Sequence, residues 1–162
     1  MATDGLSRHH APADFFCNGT ALARIHNCMG TQNLPTMLAV RKEDLPFIGS
    51  SFNFVGADQG DVAISIFIIE AQPGRGAPLH FHEYDEIVLV LEGESRFVIG
   101  DVIRDARPGD ILVVKARTPH GFINAGTGIL KQYDIHVNPR FLQESVEPTE
   151  ASRKAGLPEH KR

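Results

Sequence analysis

Short apolar runs, separated by turn residues, recur along most of the chain. Candidate strands fall at residues 36–40, 51–55, 62–71, 86–91, 95–99, 111–114, 120–124 and 130–137. Ala57-Asp58-Gln59-Gly60, Pro73-Gly74, Glu92-Gly93-Glu94, Gly100-Asp101, Pro108-Gly109-Asp110 and Ala125-Gly126 supply the turn chemistry between them. No convincing helical period intervenes, so the pattern predicts an all-β sandwich or barrel. The run 62–69 is apolar at both parities. It predicts a strand covered on both faces, by a neighbouring molecule or by the N-terminal stretch, and so points to a homodimer.

Texture divides the chain into three parts: an irregular N-terminal arm (1–35), the β domain (36–140) and a short, polar, weakly ordered C-terminal tail (141–162). Composition changes this picture little. Hydrophobic residues make up 42% and charged residues 22%, with a formal net charge of −4, so there is no electrostatic footprint for nucleic acid or an anionic membrane. Cys17 and Cys28 read as free thiols in a reducing compartment. The first ten residues lack the apolar core of a secretory signal, and the run 62–69 is too short to span a bilayer as a helix and is interrupted by Ser65. The expectation is a soluble, cytoplasmic protein.

The candidate chemistry lies between Gly74 and Gly93. His80 and His82 are two residues apart, and on a strand such residues face the same side. Glu86 opens the next apolar run at the same parity, and His120, after Thr118-Pro119, opens another. Three imidazoles and a carboxylate make a mixed nitrogen–oxygen site for one divalent ion: iron, manganese, nickel, cobalt or zinc. Gln132, Asp134 and His136 alternate on one face of the last long strand. If that face looks inward, Asp134 and His136 are candidates for acid–base work and Gln132 for substrate contact. Tyr84 shares the parity of His82 and is a candidate catalytic group or a packing cap. Phe97 and Phe122 are candidates to line a pocket, and Arg75 to face an anionic substrate. Glu83 and Asp85 have the opposite parity and are expected in solvent. His9, His10, His26 and His160 lie outside the periodic core, and no metal role is expected of them.

The segment from Gly74 resembles the first motif of the cupin superfamily: Gly, five residues, His-x-His, three residues, Glu, six residues, Gly. It is matched at Gly74, His80, His82, Glu86 and Gly93. The second motif is matched at Gly109, His120 and Asn124, whereas Lys115 stands in place of its proline and Arg117 in place of its glycine. The turn before His120 is therefore expected to differ in detail, because a left-handed backbone costs more for arginine. The resemblance implies a double-stranded β-helix, or jelly-roll barrel, with the metal deep inside, and frequent dimerisation. It does not imply one reaction, since cupins include dioxygenases, decarboxylases, isomerases, lyases, storage proteins and sugar-sensing modules. The expected function is a metal-dependent enzyme of dioxygenase, isomerase or lyase type acting on a small polar organic molecule. The alternative is a non-catalytic module that holds a metabolite or sugar. No helix-turn-helix segment is recognisable, which weighs against a regulator.

Overall fold

The computed structural model describes residues 37–160; the expected arm, with Cys17, Cys28, His9, His10 and His26, lies outside the described residues. The apolar runs pair into two sheets of antiparallel strands. The first contains β1 (Phe47–Ile48), β2 (Ser51–Phe54), β3 (Ser65–Ala71), β5 (Glu86–Glu92), β8 (Ile111–Val114) and β10 (Leu130–His136), in the order β1-β2-β3-β10-β5-β8. The second contains β4 (Gly76–Phe81), β6 (Ser95–Ile99), β7 (Val102–Ala106), β9 (His120–Asn124) and β11 (Glu144–Ser145), in the order β11-β4-β9-β6-β7. This is the expected all-β jelly roll.

Alternation decides which side chains enter it. Phe67, Ile69, Val88 and Val90 of the first sheet meet Phe97 and Phe122 of the second in one buried cluster. The opposite parity of the first sheet is also apolar. Ile111 is 65% and Val113 57% exposed, Leu91 and Tyr133 are exposed as well, and Ile66 and Ile68 are half-buried.

Several boundaries differ from the sequence expectation. Residues 37–40 form no strand. The run beginning at Val62 becomes a strand only at Ser65, because Val62 is held in a loop by its N–H bond to the Gly56 carbonyl (3.1 Å). The expected weakly ordered tail instead carries β11 and a helix, α1 (Glu150–Ala155). Thr149 caps α1 by accepting from the Ser152 N–H, and Gly156 ends it at φ 75°. Ala155 and Leu157 then pack on Leu79 and Val98, covering the outer side of β4 and β6. The strand that carries the first histidines is thus covered on both sides.

Candidate metal centre

Pairing brings the candidate donors together from both sheets. His80 and His120 are direct partners across β4 and β9, His82 follows β4, and Glu86 begins β5. One donor atom from each of the four residues lies within 4.8 Å of the others, and all four side chains are buried. An ion with bonds of about 2.1 Å spaces its donors roughly 3–4 Å apart, close to this arrangement. The Glu86 Oε2 atom is 2.8 Å from His120 Nε2 and 3.4 Å from His82 Nε2.

Backbone carbonyls fix each imidazole. The Nδ1–H groups donate to Pro78 O from His80 (2.7 Å), to Leu142 O from His82 (2.6 Å) and to Thr118 O from His120 (2.8 Å). A carbonyl only accepts, so each Nδ1 carries the proton, and the neutral His80 keeps a lone pair on Nε2; His120 Nε2 faces the Glu86 carboxylate, which also only accepts, and so carries a proton that a bound ion would displace. His82 Nε2 is buried and has no hydrogen-bond partner among the described residues. Such an orphaned acceptor among converging donors fits a cation.

Burial, helped by His120, lowers the His80 pKa to about 3, so this ring is neutral at pH 7. For Glu86, burial opposes the charged form, but the hydrogen bond from His120 and the nearby His82 and His136 rings outweigh it and hold the carboxylate below its usual range. Burial opposes the charged form of His120, but its hydrogen bond to the Glu86 carboxylate outweighs burial and raises its pKa. The neutral His80 and the ionised Glu86 are the protonation states that metal ligation requires, and His120 would give up a proton on binding an ion.

The turn before His120 tests the two departures from the family pattern. Arg117 adopts the left-handed conformation, φ 64°, that glycine would favour. Its N–H donates to His82 O (2.7 Å) and its Nε to Glu83 Oε2 (2.7 Å). Lys115 pairs with Asp85, which also accepts from the Ala116 N–H (2.9 Å). Glu83 and Asp85, expected simply in solvent, therefore dock this turn on the loop after His82.

Three of the donors (His80, Glu86 and His120) open onto a cavity of about 340 Å³. Phe97 and Phe122 line it, together with Asp134 and His136. Burial, reinforced by the Glu86 charge, raises the Asp134 pKa well above the usual carboxylate range. Burial lowers that of His136 to about 4, and neither of its ring nitrogens has a hydrogen-bond partner among the described residues. Gln132 stands behind the wall, donating to Asp134 Oδ1 (2.8 Å). Arg75 is exposed at the turn before β4 and does not line the cavity, because its backbone is tied to Gln72 and Asn124. Tyr84 does not line it either: its hydroxyl is engaged by the Leu142 backbone and its ring stacks on His82.

The sequence reading missed Ser51, Asn53, Phe67, Phe141 and Gln143, which also line the cavity. The shared inward parity of Ser51 and Asn53 was a usable signal. Phe141 and Gln143 lie in what read as a tail. Asn124, the last position of the second motif, has a structural task. Its amide donates to Ala71 O and Gly128 O (both 2.8 Å), tying the end of β9 to β3.

Barrel and donor set together define a cupin domain, and residues 67–136 match the family model of that description, "Cupin domain". The matched segment and the fold together support assignment to the cupin superfamily. A stretch of 64 residues is 31% identical to the HTH-type transcriptional activator RhaS of Mannheimia succiniciproducens, covering 40% of this chain and 24% of that protein. The oxalate decarboxylase of Lactobacillus farciminis, solved as a formate complex, is similar with a TM-score of 0.57 at 22% identity, over 64% of this chain and 34% of that one. An uncharacterised protein with a double-stranded β-helix domain from Klebsiella pneumoniae gives a TM-score of 0.55 at 17% identity, over 68% of this chain and 97% of that one. No helix among the described residues is long and apolar enough to cross a membrane.

Proposed function

We propose that this cupin is a metal-dependent enzyme acting on a small polar organic molecule. The observation that carries the reading is the cavity itself: it brings three of the four pinned donors together with two buried titratable groups, Asp134 and His136, that the donor set does not use. A divalent ion held by His80, His82, Glu86 and His120 would supply a Lewis acid that polarises a substrate oxygen. Burial raises the Asp134 pKa and so favours its protonated form, while the neutral His136 can accept a proton. Gln132 steadies Asp134 from behind. Phe67, Phe97, Phe122 and Phe141 offer apolar surface for the substrate body and exclude water.

Charge narrows the substrate class. Two carboxyl groups and no Lys or Arg line the cavity among the described residues. A substrate that is neutral, or carries one negative charge that the ion can balance, suits this wall better than a dianion. The similarity to an oxalate enzyme is at the level of fold.

The test is metal content in protein purified without an affinity tag. About one ion per chain is expected in the wild type, and His80→Ala is expected to lose most of it. Iron would direct turnover assays to oxygen consumption, whereas manganese, nickel, cobalt or zinc would direct them to isomerase and lyase reactions. Absence of metal in the wild type, with none taken up on addition, defeats the reading.

A second reading, a non-catalytic module that holds a metabolite or sugar, is supported by the partial match to a transcriptional activator. It predicts that a bound ligand is recovered chemically unchanged. In either case the apolar outer face of the first sheet supports a homodimer. Sedimentation velocity is expected to show twice the chain mass, and a monomer at micromolar concentration would remove that expectation.

A further inference from the structure

His82 is anchored differently from its two companions. His80 and His120 each donate to a carbonyl two residues upstream, so their own strands set their rings. The His82 acceptor, Leu142 O, lies sixty residues away in sequence. Leu142 belongs to neither β10 nor β11, and its side chain is 61% exposed, so its own packing does little to place its peptide group. What holds that group is Tyr84. The Tyr84 hydroxyl donates to Leu142 O (3.0 Å) and accepts from Leu142 N–H (3.1 Å). The Tyr84 ring lies parallel to the His82 ring, at 9° and a centroid distance of 4.9 Å.

We infer that Tyr84 is a positioning residue for the metal centre: it clamps the Leu142 peptide group, and through it fixes the tautomer and orientation of His82. The inference rests on the metal-binding reading of the four donors. Leu142 O has two lone pairs; one receives the tyrosine proton and the other the His82 Nδ1 proton. With both in place, His82 Nε2 keeps its lone pair toward the cluster, 3.4 Å from Glu86 Oε2. Without the hydroxyl, the Leu142 peptide group loses two hydrogen bonds in a segment that no strand pairing fixes. His82 then loses the constraint that keeps its proton on Nδ1. The clamp reaches across the chain, so residues beyond the matched cupin segment form part of the site. Phe141, next to Leu142, packs edge-on against both His82 and His136 (5.5 and 5.0 Å between centroids), so the same segment touches the donor and the cavity wall.

Tyr84→Phe removes the hydroxyl and keeps the ring. Zinc(II) affinity, measured by competition with a chelator, is expected to fall roughly 10–100-fold in this variant, as removal of a ligand's hydrogen-bond partner typically does. Leu142→Ala leaves the peptide group in place and is expected to stay within about twofold of the wild type. Long-range proton–nitrogen spectra of the imidazoles in ion-free protein are expected to place the His82 proton on Nδ1 in the wild type and to shift it toward Nε2 in Tyr84→Phe. Packing alone would move the melting temperature and leave the tautomer unchanged. Unaltered zinc affinity and tautomer in a folded Tyr84→Phe protein would overturn the inference. The wild-type spectrum needs no variant, and a His82 proton on Nε2 there would overturn it as well. A wild type that takes up no zinc but keeps the His82 proton on Nδ1 would instead defeat the metal-binding reading and leave the clamp standing.

Discussion

Gly76→Ala is expected to cost about 3–4 kcal/mol of folding stability and to lower the melting temperature by roughly 6–15 °C. The cause is backbone, not conformational preference. A methyl group on Gly76 would fall far inside contact distance of the Phe122 carbonyl oxygen, and its carbon would stand 2.8 Å from Ile123 Cα. No side chain can rotate to relieve this, because the neighbour is the paired strand β9. Either β4 and β9 separate or the Ala77–Phe122 register slips. Both changes reach the site, because His80 and His120 face each other farther along the same ladder. Loss of bound metal should therefore accompany the loss of stability, and both can be read from one preparation by a thermal melt and a metal assay. An alanine variant that melts within about 2 °C of the wild type and keeps its metal would mean that the strands do not approach this closely.

Removing the ion from loaded protein is expected to lower the melting temperature by roughly 5–15 °C. Ligand present at 100–1,000 times its dissociation constant stabilises the folded state by about 2.7–4 kcal/mol, and each kcal/mol moves the transition of a chain this size by about 2–4 °C. Only the folded chain assembles the donor set, since His82 and His120 are far apart in sequence. Differential scanning calorimetry with and without excess chelator checks this. Re-addition of the ion should restore the transition, and identical curves would argue against occupancy.

Much of this architecture was written in the alternation of the sequence. The strands at 95–99, 111–114 and 120–124 were legible to the residue, because each is a short, largely apolar run closed off by turn signals. β7 was not, because Arg104 and Asp105 break its apolar pattern; Asp105 pairs with Arg96 on the neighbouring strand (2.6 Å). α1 carried a readable signature, a Thr149 cap and Gly156 just past its end, which a polar texture obscured. The convergence of His80, His82, Glu86 and His120 was legible because parity fixes the face of a strand. The tasks of Tyr84 and Arg75 were not, since parity gives a direction and says nothing of partners. The hydrogen bonds of Tyr84 reach fifty-eight residues along the chain, and Arg75 is turned outward by the bend that opens β4.

The central strand β10 has a wider consequence. Its inward positions are Gln132, Asp134 and His136, all buried, at the heart of a sheet that would be more stable with leucine or valine there. Gln132 Oε1 and both His136 ring nitrogens have no hydrogen-bond partner among the described residues, which leaves their desolvation uncompensated there. The barrel therefore stands below the stability its topology would allow, and the deficit is concentrated in one strand beside the donors. Selection for robustness alone would erase those three side chains, and under the enzyme reading proposed above their presence is where this domain would trade durability for chemistry.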